Sequence, residues 1–228
     1  MPRIDQLLIG PVRPLGLRGA PSGIDKRAAG RLWLGRAGFA GDAQGDTRHH
    51  GGPDKAVHHY AFDHYGFWHG AIGRRDVLAR PGAFGENIST VGLDERTVAI
   101  GDTFRVGGAL IQVSQGRQPC WKLNLRFAVP DMARRVQESG RTGWYYRVLE
   151  QGFVEPGDDL VLVDRLTPDW TIERLWRVLY VDVLNREELS AMAALAHLPE
   201  SWRGYADRRL ATAEVEDWSS RLSSPDRG

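Results

Sequence analysis

The stretch ALIQVSQGRQPCWKLN, residues 109–124, changes character half-way. Over its first six residues the pattern repeats every second position. Ala109, Ile111 and Val113 fall on one side, with Leu110, Gln112 and Ser114 on the other, which is the period of a strand and not of a helix. Gly116 should end that strand and place Arg117 to Cys120 in a loop at its tip, where a rigid scaffold often holds functional side chains. The same short apolar runs between glycine-rich turns recur in RLWLGRAG (31–38), TVAIGDTFRVGGALIQVSQG (97–116) and DDLVLVDRL (158–166). Residues 1–165 therefore read as mainly β, a twisted sheet or barrel with a few inserted helices.

Two segments depart from that pattern. The aromatic and histidine-rich HHYAFDHYGFWHGAIG (58–73) suits a helix, with Tyr60, His64 and Phe67 along one face. PGAFGENIST (81–90) is a turn leading into another strand. After Asp164 the period becomes helical: Ile172, Leu175, Trp176 and Leu179, then Leu189, Met192, Ala193 and Ala196, and less strictly Trp202, Tyr205, Ala206 and Leu210. Residues 166–215 are expected to form a three-helix unit, with Asn185 and Glu188 as a capping box and HLPESW (197–202) opening the third helix. Residues 216–228 read as a partly disordered tail.

The composition bounds what such a chain does. Its 228 residues carry 30 basic and 29 acidic side chains, a balance that argues against a dedicated nucleic-acid binder. The charge is uneven, however. Arg117 to Arg147 holds seven cations and two anions, a local field suited to an anionic ligand. No run approaches a membrane span and MPRIDQLLIGPVRP lacks the apolar core of a signal peptide, so a cytoplasmic protein is expected. A single cysteine cannot form an internal disulfide, in keeping with a reducing compartment. No two glycines stand two apart and no lysine follows a glycine, which removes the dinucleotide fingerprint and the phosphate loop; no G-x-S-x-G elbow occurs either.

Two places carry chemistry. Cys120 is the lone thiol, and a lone cysteine is more often a small buried hydrophobe than a nucleophile or ligand. Arg117 and Lys122 alter that balance by favouring the thiolate, the nucleophilic and metal-binding form, while Pro119 stiffens the loop. The second place is GDTRHHGGPDKAVHHY (45–60), where His49, His50, Lys55, His58 and His59 surround the turn Gly51-Gly52-Pro53-Asp54. Glycine backbone there can approach a ligand and present N–H groups to an anion. No H-E-x-x-H or paired C-x-x-C accompanies these histidines to make a zinc motif.

GGPDKAVHHY, FGENIST, GDTFRVGGALIQVSQGRQPCWKLN and TGWYYRVLEQG, in this order and spacing, resemble the MOSC-domain proteins of the bacterial YiiM type, from about Ser22 to Arg209. The resemblance implies a MOSC β-barrel followed by a small three-helix domain, a molybdenum cofactor (molybdopterin), and reduction of N-hydroxylated compounds such as hydroxylaminopurine base analogues. It makes Cys120 of the R-x-P-C loop the expected molybdenum ligand, since a soft thiolate suits a thiophilic metal. Arg117 and Lys122 would then face the cofactor phosphate. Asn124 would contact pterin or hold a turn, Lys26, Lys55 and Asn87 match family motifs, and Glu86 would orient its neighbours. His50, His59 and Asp54 are the candidate proton donors. Family members commonly carry proline where this chain has Gly116, and glycine leaves the loop less constrained. The electron donor would be a separate flavoprotein reductase, because one cysteine cannot hold an ordinary iron–sulfur cluster. A sulfur carrier working through a Cys120 persulfide and a non-enzymatic cofactor-binding module remain alternative readings.

Overall fold

The computed structural model describes residues 1–45 and 51–223. Its strands are β1 (Gln6–Ile9), β2 (Arg13–Leu15), β3 (Ala20–Ser22), β4 (Arg27–Ala29), β5 (Leu32–Gly35), β6 (Gly38–Phe39), β7 (Val57–Ala61), β8 (Ile88–Thr90), β9 (Asp102–Val106), β10 (Ala109–Gly116), β11 (Trp144–Glu150), β12 (Gly152–Val154) and β13 (Leu160–Arg165). Its helices are α1 (His64–Ile72), α2 (Lys122–Phe127), α3 (Met132–Ser139), α4 (Ile172–Tyr180), α5 (Arg186–Ala193), α6 (Glu200–Thr212) and α7 (Ser219–Leu222).

One large sheet runs in the order β13-β9-β10-β11-β7-β8-β1-β4. It curls into a half-barrel. Main-chain bonds from Ile4 N to Asp158 O (3.0 Å), Gly157 N to Ile4 O (2.8 Å) and Leu160 N to Pro2 O (2.9 Å) join the start of the chain to the foot of β13 and bridge the open side. The neighbours are antiparallel except β7 and β8, whose parallel pairing requires a crossover; α1 lies in it. Sequence periodicity is misleading at this point. His58 to Ala61 belong to β7, paired with β11 on one side and β8 on the other, and the helix begins only at His64. Tyr60 therefore shares no helical face with His64 and Phe67.

The three expected helices are α4, α5 and α6, and their apolar faces join the barrel interior in one core. Ile111, Val113, Trp144 and Tyr146 from the sheet are continuous there with Ile172, Leu175, Met192 and Trp202. Asn185 caps α5 by accepting from the Glu187 and Glu188 amides, but the reciprocal half of the box is missing because the Glu188 carboxylate pairs with Arg174 instead, at 2.9 Å. A second core of Tyr60, Phe84, Leu123, Phe127, Met132 and Leu222 lies under the loop that carries Cys120.

Leu222 in that core shows that the expected tail is built into the fold as far as 223. Buried Arg209 pairs with Glu216 at 2.6 Å and also donates to the Val178, Leu179 and Val183 carbonyls, which turns the chain back toward the barrel. Trp121 N then donates to Arg221 O (2.8 Å), and the Arg221 guanidinium reaches Pro119 O and Gln137 Oε1. Residues 224–228 lie outside the described residues.

Candidate functional site

The site is made by an irregularity at the end of β10. Val113 pairs with Tyr146, but the next partners are Gln115 with Tyr145 and Gly116 with Trp144, so Ser114 is an extra residue, a β-bulge. A bulge exchanges the two faces of a strand beyond it. Val113 faces the core with Tyr146, whereas Gln115 lies on the outer face with Tyr145. Arg117, whose amide donates to Gly143 O at 3.0 Å, continues that outer row. On β7 the partner of Tyr145 is His58, with ring centroids 5.0 Å apart. The row His58, Tyr145, Gln115 and Arg117 thus comes from three strands. Gly143 permits it: its φ is +74°, and a Cβ there would sit 2.4 Å from His59 O and 3.1 Å from His58 Nε2. Gly116 is fixed as the last rung of the ladder against Trp144, so Arg117 is held by strand pairing without a proline.

His58, Tyr145 and Arg117 of this row form one wall of a cleft of about 660 Å³, part of it open to solvent, that gathers Lys26, Lys55, Asn87, Arg117, Cys120 and Lys122. Six residues scattered over the sequence therefore meet. Arg117 is 7% exposed, and its Nη1 has no hydrogen-bond partner among the described residues. Cys120 is 9% exposed and starts the turn into α2, its carbonyl accepting from Leu123 N at 3.0 Å. Lys122 stretches along the surface to Pro21 O, 2.8 Å away. Burial holds the Lys55 ammonium below its usual pKa. Burial does the same to Lys26, against the pull of Asp42, with which it forms a buried ion pair. Asn87 braces this pair: its amide donates to Asp42 Oδ2 (2.8 Å) and Leu8 O (3.1 Å), and its Oδ1 accepts from His58 N (3.1 Å). Asn87 is a strut, with its donors spent. Buried Glu86 accepts from Tyr65 Oη (2.5 Å), Gly82 N (2.7 Å) and Phe84 N (3.0 Å), fixing the turn that brings Phe84 and Gly85 to the cleft.

Burial, and then the charge of Arg117, hold the His58 imidazole far below its ordinary pKa, so it is neutral at pH 7. Its Nε2 is buried and also lacks a partner. His59, the sequence candidate, points the other way. Its ring nitrogens are taken by Tyr146 Oη (2.9 Å) and Thr90 Oγ1 (2.8 Å), and burial pushes its pKa down to about 3. It is a neutral core histidine and no proton donor. Asp54 is no donor either: its carboxylate is bound to Arg147 at 2.6 Å, away from the cleft. Asn124 is buried beneath the loop, accepting from Ala133 N (2.8 Å) and donating to Leu222 O (2.9 Å), so it holds the loop and touches no ligand space. His50 lies outside the described residues. The cationic excess of 117–147 is also reduced, since Asp25 pairs with Arg126 and Asp54 with Arg147. Tyr145, Gln118 and Asp42 line the cleft without having been singled out, because only strand pairing and loop packing bring them there.

A MOSC domain model matches residues 46–161, and a YiiM-like 3-alpha helix domain model matches 170–213. The chain is a MOSC-domain protein of the YiiM type. It is 39% identical over 205 residues to protein YiiM of Escherichia coli (strain K12), covering 90% of this chain and 91% of that one. The crystal structure of Escherichia coli YiiM superposes with a TM-score of 0.81 at 32% identity, over 97% of this chain and 99% of that one. A Gibberella moniliformis protein named Reductase is 35% identical over 81% of this MOSC protein, which spans 33% of that longer chain. No helix among the described residues of this MOSC protein is long and apolar enough to cross a membrane.

Proposed function

We propose that the chain is a molybdenum-cofactor-dependent reductase of N-hydroxylated compounds such as hydroxylaminopurine base analogues, with Cys120 as the molybdenum ligand. The observation that carries this reading is the buried, unpartnered Arg117 Nη1 in a cleft that also holds Cys120. A buried guanidinium without a counter-ion is costly unless a ligand completes it. An anionic phosphate does so while a thiophilic metal takes the neighbouring sulfur, so these residues fit the cofactor. Lys122 would add a second positive charge at the rim, and Lys55 a third. Lys26, matched by Asp42, keeps the cleft wall in place. When bound, the cofactor supplies two-electron chemistry with uptake of an oxygen atom.

The overall change is R–NHOH + 2 e⁻ + 2 H⁺ → R–NH₂ + H₂O, with electrons from a separate flavoprotein reductase. His58 lines the same cleft, and its neutral ring with a buried, unpartnered Nε2 would suit receiving a hydrogen bond from a ligand. The reductase name of the fungal relative supports an oxidoreductase, and membership of the MOSC family supports the cofactor. Cys120→Ser is the direct test, because the hydroxyl is nearly isosteric but a far harder ligand. Circular dichroism should be unchanged while molybdenum content and hydroxylaminopurine reduction are lost. A folded variant with full activity would overturn the assignment.

A further inference from the structure

The main chain of Arg117 is tied to Gly143 O (3.0 Å), a carbonyl that also accepts from Thr142 Oγ1 at 3.1 Å. Glycine has the widest choice of φ and ψ of any residue, so its carbonyl points where its surroundings hold it. On one side Gly143 is confined by contact, with no room for a Cβ against His59 O. On the other its amide donates to Glu95 Oε1 at 2.7 Å. Glu95 is 4% exposed, and its second oxygen, Oε2, lies 2.6 Å from His64 Nε2 in α1. Its own main-chain carbonyl accepts from Glu173 N (2.8 Å), in the first turn of α4. The carboxylate is thus anchored to α1 by its side chain and to the three-helix unit by its backbone. It lines a separate hollow of about 870 Å³, partly solvent, together with Phe67, Arg141 and Trp176, and that hollow shares no residue with the Cys120 cleft. Glu95 therefore reaches Arg117 through a single intervening residue without touching the cleft.

We propose that Glu95 is a positioning residue for Arg117: by fixing the Gly143 amide it sets where the Gly143 carbonyl holds the Arg117 main chain, and so aims the guanidinium at an anion bound in the cleft. The assignment rests on the reading of Arg117 as the anion contact given above, and on its Nη1 having no partner among the described residues. A buried carboxylate is unfavourable unless hydrogen bonds offset its lost hydration, and here each oxygen has one, the first on a glycine amide. A charged acceptor makes a shorter and stronger bond to an amide than a neutral one does. Bidentate recognition of an anion needs the guanidinium held to within about 0.5 Å, and that precision comes from the groups that support it. Glu95 touches neither cofactor nor substrate space, so it acts by placement.

The test titrates inorganic phosphate into the cofactor-free protein by calorimetry and follows the molybdenum lost on dialysis of the loaded protein, with urea denaturation as the control for stability. Glu95→Ala should weaken phosphate binding about tenfold or more and speed molybdenum loss. Glu95→Gln, which keeps an acceptor oxygen for Gly143 N, should restore most of both. In an Arg117→Met background, where Cys120 still holds the metal, Glu95→Ala should no longer speed molybdenum loss. Should Glu95→Ala not fold, Glu95→Asp, with its carboxylate one methylene further back from Gly143, gives the same comparison. A folded Glu95→Ala protein that is less stable but binds phosphate and keeps molybdenum as the parent does would overturn the proposal, as would an undiminished effect in the Arg117→Met background. A parent that binds neither phosphate nor molybdenum would overturn it together with the reading of Arg117. Phosphate binding that Glu95→Ala weakens and Glu95→Gln restores, in a parent protein that when loaded reduces no hydroxylaminopurine, would support the placement and sink the reductase reading alone.

Discussion

Replacing Arg117 by Met should change the cofactor-free and cofactor-loaded proteins in opposite directions. In the free protein Arg117 is nearly buried, makes no ion pair among the described residues, and leaves Nη1 unpartnered. Leaving a polar group unsatisfied costs about 1–3 kcal/mol. Methionine fills similar space without that cost and loses only the contact to Tyr145, about 1 kcal/mol. The free variant should therefore be as stable as the parent or up to about 2 kcal/mol more stable. With cofactor bound, a charge-assisted contact worth about 1.5–3 kcal/mol disappears, so affinity should fall roughly 10- to 150-fold. The assay compares urea denaturation of both proteins made in a host unable to synthesise the pterin, and then the molybdenum retained after dialysis of both made in a competent host. Equal loss of stability in the free and loaded forms would refute the reasoning, because Arg117 would then be a structural residue.

Two further outcomes are expected. His59 is neutral and buried with a pKa of about 3, below the roughly 6.5 of an unfolded chain; the unfolded state takes the proton first as pH falls, so stability is complete above pH 6.5 and declines by about 1.4 kcal/mol per pH unit down to pH 3. Denaturation at pH 8 and pH 5 should differ by about 2 kcal/mol from this residue, and a His59→Gln variant with the same pH slope as the parent would contradict its placement. Reduction of hydroxylaminopurine with NADPH should require an added flavoprotein reductase, with turnover falling as salt rises; equal turnover by the purified chain alone would exclude the separate donor.

The chemistry was most legible where it is local. Arg117, Cys120 and Lys122 stand within six positions of one another, and strand period placed Arg117 and Cys120 in the loop at the tip of β10. Lys26, Lys55 and Asn87 came through family motifs, and the fold brings them to the same cleft. What periodicity alone misses is long-range parity. His58 and His59 are adjacent letters with opposite fates, decided by the register of β7 against β11, and the bulge at Ser114 leaves no mark in a run of alternating residues. The aromatic run 58–73 read as one helix because its spacing of three and four persists across the boundary between β7 and α1. The C-terminal segment was hidden for another reason: the chain after α6 is short and polar, and only buried Arg209 and the Cys120 loop give it a place.

That segment also sets a schedule. Arg221 grips the carbonyl of Pro119 across a sequence separation of 102 residues. A ribosome adding about 5–20 residues per second needs roughly 5–20 s to make that intervening chain. During this interval the loop bearing the thiol has no clamp. The chain thus finishes the surroundings of Cys120 at its last described helix, seconds after the sulfur itself has been made.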